Sequence, residues 1–316
     1  EVATLRASGE NPEELAEKRE NELDRWILSR LNSVIRDVTR HFEGYDLTIG
    51  LGKTFRQDIL RIGGGPLSIF WEKSIRAWPE GKARDWKMLR RRTSPANWLT
   101  RYIEPRQLRQ AKVIIAVSHK VQEWLLAAYP WLDPNKIRII YNQPDLTQFR
   151  PPSPEERAQA RANRGIAEDE TLIVTAASNF ALKGVGTLIA ALSQLPRSHR
   201  LMVAGDRHPG AYLDMAYKLG LRDRVSFLGR VNDIQSLYWA GDLFCLPSYY
   251  DACSNAVLEA MACGCRAVSS EDNGSSFFLP PAQVVADPGD SHTLATCLEQ
   301  TLAAPPHPFT WPHNIE

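Results

Sequence analysis

No uninterrupted apolar run in the 316 residues approaches the roughly 20 that a membrane-spanning helix requires. The opening residues, Glu1 to Glu10, lack the apolar core of a secretory leader, so the expected location is the cytoplasm. Cysteine is scarce and unpaired in number: Cys245, Cys253, Cys263, Cys265 and Cys297 form an odd set in one half of the chain, which argues against a disulfide framework. Cys263-Gly264-Cys265 has the wrong spacing for a zinc pair and has no nearby histidine, so the thiols read as structural and no metal is expected. The formal net charge is +1, so the global balance names no partner. There is no internal repeat and no long low-complexity segment. What remains is 43% hydrophobic and 24% charged, the profile of a globular chain with room for two domains.

Three regions differ in character. Residues 1–46 read as an amphipathic helical segment. Asn11-Pro12-Glu13-Glu14 is a helix start, and Leu23, Ile27, Leu31, Val34, Val38 and Phe42 then recur at steps of three and four, with Gly44 as the stop. Residues 47–150 read as a partial α/β domain. Leu47–Leu51 looks like a buried strand, Gly63-Gly64-Gly65-Pro66 breaks the chain, and Val113–Val117 is apolar throughout, as a strand covered on both faces should be. Ser118 caps a helix to about Tyr129, Ile137–Ile140 is a short strand, and Asn142 to Pro152 reads as a linker. Residues 151–316 alternate strand and helix. Strands are expected at Thr171–Ala176, Leu201–Ala204, Val225–Leu228, Leu243–Leu246 and Ala267–Ser269, with helices near Val185–Leu195, Ala211–Leu219, Ile234–Ala240 and Ser254–Cys263. That alternation predicts a parallel Rossmann-like sheet, with ligands at the carboxyl ends of its strands.

The residues that carry chemistry fall at strand-to-helix turns. Lys183 and Gly184 follow the first of these strands. A lysine there can reach a phosphate and a glycine lets the next helix start tightly, though a surface Lys-Gly pair alone is common. Asp251 lies in the loop after Leu246-Pro247, and Glu259 lies one to two turns inside the following helix. Such carboxylates can contact two parts of an extended ligand, and the amides near Ser254, Asn255 and Ala256 open the helix as an anion site. A solvent-facing glutamate is the plain alternative, but Glu259 sits within Ala-Val-Leu-Glu-Ala-Met-Ala, where an unpaired carboxylate is costly. Leu228-Gly229-Arg230-Val231 ends another strand and can bring backbone close to a planar base, or be an ordinary turn.

In that order, Lys183-Gly184, Leu228-Gly229-Arg230-Val231 and Pro247 to Gly264 resemble the GT-B glycosyltransferases of family 4, especially bacterial enzymes of the lipopolysaccharide core. The resemblance spans residues 47–316. It implies an α/β fold of GT-B type: a complete C-terminal Rossmann-like parallel sheet, and a partial N-terminal Rossmann-like domain preceded by a long helix. It implies a retaining hexosyltransferase with a nucleotide-diphosphate sugar donor, a UDP-sugar above all, and no metal or other cofactor. Lys183 would hold the diphosphate, Glu259 the ribose hydroxyls and Asp251 the sugar hydroxyls. Gly184 and the amides of Ser254, Asn255 and Ala256 would serve the phosphates or hexose, and backbone near Arg230 and Val231 the base. The chain departs from the family at Asp251, where glutamate is usual, and at Leu182, where many members carry a phosphate-binding arginine. It also departs at Asn142-Gln143-Pro144-Asp145, against the common Asn-Gly-Val-Asp, and at Leu67, near a frequent histidine.

Between Lys73 and Lys112 lies a basic, aromatic stretch with few acids, containing Arg76, Trp78, Trp86, Arg90, Arg91, Arg92 and Trp98, with Trp71 just before it. Trp71, Arg76, Trp78, Arg90, Arg91 and Arg92 are read as the side facing an anionic membrane and a lipid-linked glycan acceptor at its inner face; a solvated helical face is the alternative. Nucleic acid is a weaker reading, because no RNA-binding fold accompanies the charge. Residues 13–46 also resemble an anticodon-domain helix of class I aminoacyl-tRNA synthetases. Together with the shortened first half, this makes a fragment or chimera that binds nucleotide sugar without turnover the alternative function.

Overall fold

The computed structural model describes residues 45–52, 57–305, 309 and 311. The helix expected before Gly44 and its synthetase-like match lie outside the described residues. The first parallel sheet runs β1 (Ile49–Gly50), β2 (Ile59–Ile62), β3 (Val113–Ala116) and β4 (Ile137–Ile139), in that spatial order. Parallel neighbours require crossovers. Between β2 and β3 these are α1 (Leu67–Ser74), α2 (Lys82–Thr93) and α3 (Pro95–Gln110); between β3 and β4 it is α4 (His119–Ala128). Ser118 caps α4 as its sequence predicts, its Oγ accepting from the Val121 amide at 3.1 Å.

Two expectations for this half need correction. Leu47–Leu51 is not a buried strand: only Ile49 and Gly50 pair, at the sheet edge, and Ile49 and Leu51 are 58% and 72% exposed. Apolar residues give the strand signal, but they do not say whether a strand is central or at an edge. Conversely, β2 is a real strand that the pattern conceals, because Arg61 interrupts the run. Its guanidinium leaves the core to donate to Asn142 at 2.6 Å, while Leu60 beside it is fully buried.

The second half supplies α5 (Pro154–Ala162), β5 (Thr171–Ala176), α6 (Val185–Leu192), β6 (His199–Ala204), α7 (Gly210–Lys218) and β7 (Val225–Gly229). It continues with α8 (Ile234–Ala240), β8 (Leu243–Leu246), α9 (Asn255–Ala262), β9 (Arg266–Ser270), β10 (Val284–Val285) and α10 (Ser291–Ala303). Its six parallel strands stand in the order β10-β9-β8-β5-β6-β7, the doubly wound order in which the chain reverses direction between β5 and β8. Every residue of β8 is buried, which is why Leu-Phe-Cys-Leu shows no polar alternation. Helix α5 extends beyond the segment read as a linker. Its start is a capping box: the Ser153 hydroxyl accepts from the Glu156 amide, and the Glu156 carboxylate accepts from the Ser153 amide at 2.7 Å. Arg157 and Arg161 of α5 then grip Asp242 at 2.6 and 3.0 Å, and Asp242 also accepts from the Leu172 amide.

Two apolar cores form, one per sheet, and the loop after β8 joins them. Tyr250 and Ala252 belong by sequence to the second half, yet they pack in the core of the first, against Leu60, Trp124 and Leu125. The Tyr250 ring stacks on Trp124 at 4.4 Å and meets Phe70 edge-on at 5.2 Å, and its hydroxyl donates to the Gly64 carbonyl. Across the reversal point, Gly184 adopts φ +68° and lies so close to Pro247 that a Cβ would collide with the Pro247 carbonyl. Gly184→Ala is therefore expected to cost about 2 kcal/mol or more, through both strain and overlap. Urea unfolding measures this; a loss below about 0.5 kcal/mol would mean that the two loops are not locked together.

Candidate functional site

The reversal point between β5 and β8 opens a crevice at the strands' carboxyl ends, and the expected residues gather around it. Lys183 comes from the loop after β5 and Asp251 from the loop after β8. Their side chains form an ion pair, 16% and 13% exposed. Backbone sets the register of that contact: the Tyr249 amide donates to the Leu182 carbonyl at 2.9 Å, and the Asp251 amide to the Asp272 carbonyl at 2.8 Å. Asp251 also bridges to Asn273, so its loop is held like a short extra strand.

Helix α9 begins beside this loop. Ser254 precedes it without capping it through its side chain; instead its carbonyl accepts from the Ser275 hydroxyl at 2.9 Å. Asn255 accepts from Asn142, which in turn accepts from Arg61, a chain of polar contacts that runs from β2 to the start of α9. Ala256 follows, partly buried against the second core. Glu259 lies in the second turn and finds the partner that its apolar setting demands: the Tyr238 hydroxyl donates to its Oε2 at 3.2 Å. Burial pushes the Glu259 carboxyl above the usual carboxylate range, and the Tyr238 bond partly offsets this. Asp251 and Glu259 thus serve different neighbours.

Arg230 and Val231 line a pocket of about 270 Å³ across the carboxyl ends of β5, β6 and β7. Its other walls are Ala176, Ala177, Ser178, Ala204, Gly205, Asp206 and Ile234, a set that the sequence reading did not include. Small residues at three successive strand ends were the available signal. A second omission is His119, the first residue of α4. Its Nδ1 lies 2.9 Å from the Tyr141 hydroxyl and its ring stacks on Phe277 at 4.3 Å, across the seam between the halves. Burial lowers its pKa, favouring the neutral ring.

The basic helical stretch divides into distinct roles. Arg76 does not stand free. It lies 2.9 Å from Asp287 and 3.6 Å from Asp272, while Lys73 holds Asp272 at 2.6 Å, so α1 is tied to the second half. Arg91 turns inward to the Trp71 carbonyl and the Ser74 hydroxyl and lies over the Phe70 ring. Trp78 is covered by the Lys87 ammonium at 3.3 Å. Arg90 and Arg92 remain exposed, and Trp86 and Leu89 of α2 are 63% and 51% exposed. Trp71 and Arg92 share a second cavity with residues of α1 and α3. Among the described residues, no helix is long and apolar enough to cross a membrane, and no group of three His, Cys, Asp or Glu side chains is placed to hold a metal ion.

Comparison with known proteins agrees with this geometry. Residues 170–304 match the family described as glycosyl transferases group 1, and residues 76–148 match Glycosyltransferase Family 4. Both matches are to glycosyltransferase families, and they cover separate stretches of the chain. Similar proteins include lipopolysaccharide glucosyltransferase WaaG of Escherichia coli K12, 30% identical over 190 residues, which are 54% of this chain and 51% of that protein. D-inositol 3-phosphate glycosyltransferase of Rhodococcus jostii is 28% identical over 212 residues, 58% of this chain and 46% of that protein. The chain thus spans about half the length of the curated relatives it matches. The WaaG crystal structure superposes with a TM-score of 0.68 at 24% identity, covering 90% of this chain and 74% of that one, a likeness of GT-B fold. Anabaena Alr3699/HepE, solved with UDP-glucose, gives 0.59 at 25% identity over 67% of this chain and 59% of that one.

The buried Glu259 carboxyl makes stability depend on pH. Below the carboxylate range it is protonated in both folded and unfolded chains, and burial carries no charge cost. As pH rises, the unfolded chain ionises first, so the folded state loses relative stability. Glu259→Gln keeps an acceptor for Tyr238 and removes the charge. Its Tm gain over the unaltered chain is expected to grow between about pH 4 and pH 7. A Tm offset independent of pH would show that Glu259 titrates like an exposed glutamate.

Proposed function

We propose that this chain carries the donor side of a retaining hexosyltransferase that moves a sugar from a UDP-sugar to a lipopolysaccharide-core or related glycan. The carrying observation is the convergence of Lys183, Asp251 and the start of α9 at the sheet's reversal point, beside the pocket at Arg230 and Val231. The base enters that pocket, Glu259 accepts from the ribose hydroxyls, and Asp251 accepts from hydroxyls of the transferred sugar. Lys183 and the opening amides of α9 carry the diphosphate without a metal, so negative charge that develops on the leaving group meets groups already in place. An acceptor oxygen forms its bond to the anomeric carbon on the face that the diphosphate leaves. The anomeric C–O bond breaks, UDP departs with the electron pair, and the leaving phosphate takes the acceptor proton. Retention of configuration follows, with no protein carboxylate needed as nucleophile.

Titration calorimetry with UDP-glucose, UDP-GlcNAc, UDP and ADP-glucose, with and without magnesium, tests the donor half. Lys183→Ala and Glu259→Ala are each expected to weaken UDP-sugar binding by about ten- to a hundredfold, the worth of one charged hydrogen-bonding group. Unchanged affinity in both variants would sink the reading. Donor binding with no transfer to any core saccharide would leave a binding module in place of an enzyme.

The acceptor side is placed at the inner face of an anionic membrane, a peripheral position. The support is α2, which has no buried residue and presents Trp86 and Leu89 beside Arg90 and Arg92. Sedimentation with phosphatidylglycerol vesicles is expected to show binding that Arg90→Ala weakens about fivefold and Trp86→Ala also weakens. Absence of vesicle binding at low salt would remove the membrane from the proposal, and binding that survives both substitutions would remove α2 from it.

A further inference from the structure

Helices α1, α2 and α3 line a half-open pocket of about 480 Å³ that the transfer chemistry leaves unused. Leu67, Trp71 and Met88 supply its apolar wall. Arg92 and Arg101 add two guanidinium groups, and among the described residues no carboxylate lies within ion-pair distance of either. Ser68 and the Glu72 carboxylate complete it.

This combination selects its ligand. Two free guanidinium groups in one pocket match the several oxygens of a phosphate monoester, which Arg can bind through paired N–H donors. An indole face suits the C–H face of a pyranose, while a serine hydroxyl and a carboxylate accept from sugar hydroxyls. A carboxylate beside the arginines disfavours a bare phosphate and favours one that brings hydroxyl donors with it. The pocket is also held in place. Both oxygens of the Glu104 carboxylate lie 3.2 Å from the Leu67 amide. The Gly63–Pro66 turn leading into Leu67 is fastened by the Tyr250 hydroxyl at Gly64, one residue from Asp251 in the other half.

We infer that this three-helix pocket binds the phosphorylated sugar unit of the acceptor saccharide, with Arg92 and Arg101 on the phosphate and Trp71 beneath the ring. The assignment to an acceptor rests on the transferase reading above; the phosphosaccharide site stands on the pocket itself. The test is calorimetric titration of the full chain with glucose 6-phosphate, glucose and inorganic phosphate, alongside a separate titration with UDP-glucose. Glucose 6-phosphate is expected to bind saturably, and glucose and phosphate each at least about tenfold more weakly. Arg92→Ala/Arg101→Ala should weaken glucose 6-phosphate about tenfold or more, the loss of charged hydrogen bonds. Lys82→Ala/Arg106→Ala, which removes two charges from the same two helices outside the pocket, should change it less than about twofold.

No saturable binding of glucose 6-phosphate into the millimolar range, or equal effects of the two sets of substitutions, would overturn the inference. Inorganic phosphate binding as tightly as the sugar phosphate would reduce the pocket to an anion site and also overturn it. So would phosphatidylglycerol vesicle binding that needs Arg92 and Arg101 while glucose 6-phosphate is ignored, since the phosphate would then be a lipid headgroup. If UDP-glucose binds and glucose 6-phosphate does not, this inference fails alone. If glucose 6-phosphate binds through the arginines and UDP-glucose does not, the transferase reading fails and the sugar-phosphate site remains.

Discussion

The burial of one tyrosine fixes how the two sheets face each other. Tyr250 sits on a loop of the second half, but its ring completes the core of the first, between Trp124 and Phe70. A ring so placed must find a partner for its hydroxyl, and the Gly64 carbonyl is that partner. Backing out would expose aromatic surface and leave a polar group to resolvate, so the loop cannot drift while both cores stay intact. Beside it, the Ser118 hydroxyl donates to the Ala252 carbonyl at 2.6 Å while still capping α4. Gly274 fits against both Ala252 and Ser118 with no space for a side chain. Asp251 lies between these two anchored residues, so its position is set by packing in the half opposite to the sheet that carries it.

The electrostatics follow from that placement. A carboxylate held at the reversal point, mostly removed from solvent, needs a counter-charge, and Lys183 supplies it from the facing loop. The same pair holds the Lys183 ammonium at the crevice, so an anion entering there would have to compete with Asp251 for it. Asp272 extends the pattern. It is buried, its carbonyl receives the Asp251 amide, and its carboxylate is held by Lys73 of α1 and by Arg76 in the turn just after it. Charge from the first half therefore stabilises the loop that positions Asp251. This explains why Arg76, read from composition as a surface cation, works at the seam.

The second half was the more legible in sequence, for a physical reason. Parallel strands buried on both faces must be apolar throughout, so Thr171–Ala176 and Leu243–Leu246 can be bounded to the residue, and the helices between them follow. Lys183, Asp251 and Glu259 were visible because strand ends and helix starts are where such folds bind ligands. What stayed hidden depends on contacts between residues far apart in the chain. Arg61 masks β2 because its partner Asn142 lies 81 residues away. Arg91 reads as one of three surface arginines until the Trp71 carbonyl and Ser74 hydroxyl are seen to receive it. The capping box at Ser153 and Glu156 was present in the sequence and simply overlooked among the prolines before it.

The helices over the first sheet obey a different constraint, and this bears on which residues can evolve toward function. Most buried positions of the second half sit in one continuous core, where a change in side-chain volume is felt by its neighbours. Helix α2 has no buried residue, so packing dictates almost none of its side chains. On that open surface α2 carries Trp86 and Leu89, and its Met88 and Arg92 line the pocket shared with α1 and α3. The tightly packed second half and the weakly constrained α2 are then two sides of one division: the crevice at the reversal point is held by a continuous core, and the surface around α2 is not.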